Sequence, residues 1–308
     1  MFEKFRKSTD LDDRTPVDQK RRFLMIGGLA SVAVAGFSLA DKEREIGHDS
    51  NKEPHTETAS NDLVGEEIAG DVERMKTNSG HFYAERDQFA AAYVSELQIM
   101  ENPEKLKTLL DKYFDISAIP NNVLRQEVMD NLYGLAFVES RYDEVRVSEV
   151  GAFGLMQLMP ETWNTLALPD EDPTNVIDQI KVAARLVVQS CRYISEQCRN
   201  ELGLITTNHF NGDEPAMQKY FFGPVLIGAY NSGMGNLEKI IKNFVLLYPR
   251  ATELIDMFDG VDIPTGYDVY FGMTKAAMLE EWRPNYKIHG SEYTAKVYGA
   301  TLAMTGAT

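Results

Sequence analysis

A mainly α-helical protein is what the 308 residues predict, and three observations carry that expectation. From Tyr83 onward apolar residues recur three and four positions apart almost without interruption. Runs that alternate apolar and polar residues, the mark of half-buried strands, are scarce. With 44% hydrophobic residues, the chain can fill one sizeable core or two modest ones, which helices packed on one another would enclose.

The elements begin with an address. Lys20, Arg21 and Arg22 precede Phe23–Ala40, which holds no charged residue and ends Ser38-Leu39-Ala40. A basic flank, an apolar run and small residues at the end form the pattern of a secretory signal peptide. The paired arginines also resemble a twin-arginine export signal. An uncleaved inner-membrane anchor is the alternative, since this run would just span a bilayer. Either reading leaves residues 1–40 as signal or anchor and puts the rest outside the cytoplasm, periplasmic or extracellular. No Cys follows the run to take a lipid.

Next comes an acidic segment. Between Asp41 and Met75 eleven Asp and Glu face four Lys and Arg, a net of −7 out of −16 for the chain. Residues 41–80 therefore read as a solvated linker. The overall charge argues against nucleic acid, which demands clustered cations. No His/Cys cluster has metal-ligand spacing, so nothing here suggests a metal.

Residues 81–120 read as a helical extension. One stripe runs through Phe89, Tyr93, Leu97 and Met100, and a second through Leu106, Leu109, Leu110 and Tyr113 after Pro103, which suits a first helical turn. Two more follow: Ile177, Ile180, Ala184, Val187, Cys191 and Ile194, then Leu237, Ile240, Ile241, Phe244 and Val245. Cys191 sits on a buried stripe as a small core residue. A Cys191–Cys198 disulfide stays open, but it requires the helix to end between the two, because seven helical residues rise about 10 Å.

One carboxylate stands on the wrong face. Leu132, Leu135, Ala136 and Glu139 share a stripe that should meet the core. An apolar setting favours a protonated carboxyl, which a general acid needs. A frayed helix end, or pairing with Arg141 or Arg146, would explain the same residue without chemistry. The next residues are Ser148 and then Gly151-Ala152-Phe153-Gly154-Leu155-Met156-Gln157-Leu158-Met159-Pro160. Its two glycines allow a tight turn, Gln157 offers an amide to sugar groups, and Met156 offers an apolar wall.

The pattern Glu139-Ser140, ten residues, then Gly151-Ala152-x-Gly154-Leu-Met-Gln-Leu-Met-Pro160 resembles the catalytic motif of the soluble-type (SLT) lytic transglycosylases. Ile227-Gly228-Ala229-Tyr230-Asn231-Ser232-Gly233 is similar to their later AYNAG signature, with Ser232 for the alanine. The resemblance runs from about Leu124 to Leu279. It implies a lysozyme-like helical domain over residues 121–300, with Glu139 as single acid/base. Ser148, Met156 and Gln157 would then bind glycan, Tyr230 would stand beside the Glu, and Asn231 would support it.

Three features depart from the family. Gly266-Tyr267-Asp268-Val269-Tyr270 lacks the usual Glu-Thr, although Tyr270 is still expected to line the cleft. Arg199–Gly223 is long, and His209, Asn211, Gly212 and Pro215 read as loop. Glu149 and Val150 replace residues that are often small or polar.

What the resemblance implies is non-hydrolytic cleavage of the β-1,4 bond between N-acetylmuramic acid and N-acetylglucosamine in peptidoglycan, leaving 1,6-anhydro ends. It implies no metal and no cofactor. Glycan strands are thus the expected partner, and the unmatched N-terminal part leaves room for docking to an envelope protein complex. A related hydrolase, which needs a second catalytic group, and a non-catalytic murein-binding protein are the competing readings.

Overall fold

The computed structural model describes residues 82–98, 103–258, 263–279 and 288–306. Both the apolar run at 23–40 and the acidic segment at 41–80 lie outside the described residues. Among the described residues twelve α-helices follow one another: α1 (Phe82–Gln98), α2 (Pro103–Tyr113), α3 (Asn122–Asp130), α4 (Leu132–Ser140), α5 (Pro160–Leu166), α6 (Val176–Gln197), α7 (Arg199–His209), α8 (Glu214–Met217), α9 (Gly223–Ser232), α10 (Met234–Leu247), α11 (Tyr267–Leu279) and α12 (Ile288–Thr305). A π-helical segment (Gln218–Phe222) joins α8 to α9, and a 3-10 segment (Ala251–Phe258) precedes α11. The described residues contain no strand, only the isolated antiparallel bridges Val147–Phe153 and Phe153–Leu158. The fold is mainly α, as the periodicity predicts.

Helix α9 is the axle. Every residue from Gly223 to Ala229 is buried, so it is apolar all round and must be wrapped. Around it pack α3, α6, α10, α11 and α12. Gly228 admits that packing, since a Cβ there would lie 2.7 Å from the Tyr270 hydroxyl. The stripe on α6 faces inward as expected: Ile180, Ala184, Val187, Cys191 and Ile194 are buried. So do Leu237, Ile240, Ile241 and Phe244 on α10.

The N-terminal extension does not stand apart. α1 lies along α12, and α12 lies along α4. Glycines set both distances of approach. A Cβ on Gly299 would meet the Arg86 carbonyl at 2.7 Å, and one on Gly134 the Val297 carbonyl at 2.2 Å. Buried Glu127 on α3 accepts the hydroxyls of Tyr267 (2.7 Å) and Tyr298, tying α3 to α11 and α12. Phe82 closes this joint: its ring meets Tyr267 at 5.0 Å and Tyr298 at 5.2 Å, and its N–H donates to Asp268 at 2.8 Å.

Two expectations change. Arg199–Gly223 is mostly helical, and the irregular part shrinks to the turn around Asn211 and Gly212, both at positive φ. His209 ends α7, buried, with Nε2 at 3.0 Å from the Tyr248 carbonyl. Pro215 is no breaker but sits in the first turn of α8, where its missing N–H costs nothing. Cys191 and Cys198 are both free and buried. α6 ends only at Gln197, so nearly the whole stretch between the two is helical and keeps them too far apart for a disulfide.

Candidate active site

Glu139 is the last residue but one of α4, whose buried residues are Leu132, Gly134, Leu135, Ala136, Phe137 and Ser140. Glu139 itself is half-buried. Immediately after, the chain turns sharply: Arg141 (φ 58°) and Tyr142 (φ 61°) are both left-handed. Neither is glycine, and each such residue costs about 1–2 kcal/mol against the right-handed form. Contacts offset that cost. The Arg141 N–H donates to the Phe137 carbonyl at 2.8 Å, and its Nη1 to the same oxygen at 3.0 Å. The Tyr142 hydroxyl donates to the Tyr133 carbonyl at 3.0 Å and touches Met304 Sδ on α12 at 3.1 Å. Arg141 turns its Nε to Glu96 on α1, at 2.7 Å.

Tyr293 of α12 donates its hydroxyl to Glu139 Oε1. Burial, and then the charge of Glu139, push the Tyr293 phenol well above its ordinary pKa, so it stays protonated and can only serve the carboxylate as donor. Tyr230, at the end of α9, is raised in the same way, first by burial and then by Glu139. Its hydroxyl donates to the Met156 carbonyl at 2.7 Å, which joins α9 to the glycine-rich loop. Behind the Tyr230 ring, between α3, α4, α6 and α9, lies a void of about 10 Å³ lined by residues such as Val128, Leu135 and Val187. That is room for one water at most.

Gly154 makes the loop possible. At φ +77° its Cβ, if present, would fall 2.2 Å from Gln179 Oε1. That oxygen, on α6, accepts the Leu155 N–H at 2.9 Å, and Gln179 Nε2 donates to the Pro173 carbonyl at 2.9 Å. Phe153 and Leu158 exchange two 3.0 Å backbone bonds across the turn. Gln157, itself left-handed at φ 45°, spends its amide N–H groups on the carbonyls of Gly154 (2.9 Å) and Arg146 (3.1 Å). Ser148 Oγ accepts the Ala152 N–H at 3.0 Å. Both polar side chains shape the loop. Asn231 follows Tyr230, and its Oδ1 is buried with no hydrogen-bond partner among the described residues.

Two expected site residues stand elsewhere. Met156 is fully buried, so its carbonyl rather than its thioether reaches the site. Tyr270 is a core residue, 1% exposed, with its hydroxyl 2.8 Å from Thr294 Oγ1, and it does not line a cleft. The reason is α11 itself, which packs on α9 and α12 and carries Tyr270 between them. In its place comes Tyr293, beyond the stretch of resemblance. Its signal was the stripe Tyr293, Val297, Ala300, wholly buried, where a phenol needs a partner.

Residues 121–245 match the family model of the Transglycosylase SLT domain. The chain carries an SLT transglycosylase domain. Members of this family are lytic transglycosylases, lyases acting on peptidoglycan, and the chain is an enzyme of that class. No curated protein and no solved structure matches the chain. The SLT domain runs from the start of α3 into the end of α10, so Glu139, the loop and Tyr230 lie inside it. Tyr293 lies outside, as do α1, α2, α11 and α12. Among the described residues no three His, Cys, Asp or Glu gather as a metal site, and no helix is long and apolar enough to cross a membrane.

Proposed function

We propose that this SLT enzyme cleaves the β-1,4 bond between N-acetylmuramic acid and N-acetylglucosamine without water, with Glu139 as its single acid/base. The observation that carries this reading is the bond from Tyr293 to Glu139 at a half-buried helix end, with the Tyr230 hydroxyl close enough to feel the same charge. Protonated Glu139 gives its proton to the glycosidic oxygen as the bond to C1 breaks. The resulting carboxylate then removes the proton from the muramoyl C6 hydroxyl, whose oxygen closes on C1. One group acts as acid and then base, and the nucleophile is held by the sugar itself. The N-acetyl oxygen stabilises C1 meanwhile, as in substrate-assisted glycosidases.

A hydrolase would need a second group to activate water. The carboxylates nearest in sequence are Asp143, Glu144 and Glu149, all exposed. Tyr230 and Asn231 act beside Glu139, while Ser148, Gln157 and Met156 act through the loop they shape. We propose further that the domain works outside the cytoplasm, released or anchored, and can join an envelope complex. The basic-flanked apolar run Phe23–Ala40 supports the first part of that reading.

The test is digestion of purified murein, with the released muropeptides read by mass spectrometry. Products one water lighter than hydrolytic ones, lost in Glu139→Gln, are expected. Reducing ends that retain that water would replace this reading with hydrolysis.

A further inference from the structure

We propose that Glu96 and Arg141 are a positioning pair for Glu139, so that α1, a helix outside the SLT domain, is part of the working site. The proposal rests on the reading of Glu139 as the acid/base. Arg141 stands two residues after Glu139 in a left-handed conformation that ends α4. One side chain does three things there. Its Nη1 closes on the Phe137 carbonyl at 3.0 Å, its Nε meets Glu96 Oε2 at 2.7 Å, and its guanidinium lies over two rings, Phe137 at 4.4 Å and Tyr93 at 5.1 Å. Tyr93 and Glu96 are three residues apart on α1 and so share a face, and together they grip the guanidinium from that helix. The same α1 lies along α12, which supplies Tyr293. Both supports of the carboxylate, the turn after it and the phenol against it, therefore lean on α1. A small displacement of an acid/base from its substrate is enough to cost turnover while binding survives.

The pair is tested in the full-length chain with soluble glycan strands, measuring kcat, KM and the thermal midpoint. Glu96→Gln is expected to lower kcat about fivefold to tenfold with KM changed less than about twofold, and to leave the protein folded at the assay temperature. Glycine takes the left-handed conformation without side-chain support. Arg141→Gly should therefore keep the turn but lose the pair, lowering kcat about as much as Glu96→Gln does, and Glu96→Gln should be silent in that background. If Arg141→Gly does not fold, Arg141→Asn, which also tolerates positive φ, carries the same comparison. Unchanged kcat in Glu96→Gln, or an equal loss in both backgrounds, would overturn the pairing. An active Glu139→Gln would instead overturn the acid/base reading beneath it.

Discussion

Tyr293 donates its hydroxyl to Oε1 of Glu139 across 154 residues of sequence, joining the last helix of the described chain to the end of α4. The bond holds the carboxylate in one orientation. Tyr293→Phe keeps the ring and removes only the donor. Turnover of murein should fall about tenfold to a hundredfold, because a hydrogen bond to a charged group is worth about 1.5–3 kcal/mol. Retention of the variant on sedimented murein should not change. Full turnover would mean that the phenol is only packing.

Tyr270 serves the core. Tyr270→Phe breaks its bond to Thr294 and should lower unfolding stability by about 1 kcal/mol, with turnover per folded molecule unaltered. Urea unfolding and a murein assay separate the two effects. Lost turnover at unchanged stability would return Tyr270 to the substrate cleft.

Glu127 should make stability depend on pH. Burial raises its carboxyl pKa, against the hydrogen bonds from Tyr298 and Tyr267 and the charge of Lys219, which lower it, while Asp130 adds to the rise. With its folded value above the unfolded one, its proton contributes stability that is complete below the ordinary glutamate range. That contribution is lost as pH climbs through the raised folded value. Wild type should therefore lose stability relative to Glu127→Gln as pH is raised from about 4.5 towards neutrality. Urea midpoints that run parallel for the two proteins over that range would refute it.

Both cysteines should be silent in the native protein. Burial raises the thiol of Cys191, and it pushes Cys198 to about 12, so neither offers thiolate at neutral pH. Iodoacetamide should label neither at pH 8 without denaturant and both in urea, with no prior reduction. A single mass lower by two hydrogens, unlabelled in urea, would reveal a disulfide after all.

The helices were legible because burial imposes a period. Ile180, Ala184, Val187, Cys191 and Ile194 announce α6 in the sequence and are all buried in the fold. Glu139 was legible for the opposite reason, as a carboxylate on an apolar stripe followed by a dense motif. His209 and Pro215 misled, since the first ends α7 and the second opens α8, whereas Asn211 and Gly212 do make the short turn expected of them.

By itself, then, the sequence determined a mainly helical chain, an SLT domain and Glu139 with Tyr230 and the glycine-rich loop, because local period and spacing encode them. Only the tertiary structure decided that Tyr293 rather than Tyr270 meets the site, and that Glu96 reaches Arg141. Such pairs depend on which helices pack together, and here glycines at 134, 228 and 299 set how closely they can approach. A phenol on a buried stripe looks the same in sequence whether it faces a threonine or a carboxylate, and helix packing alone tells them apart.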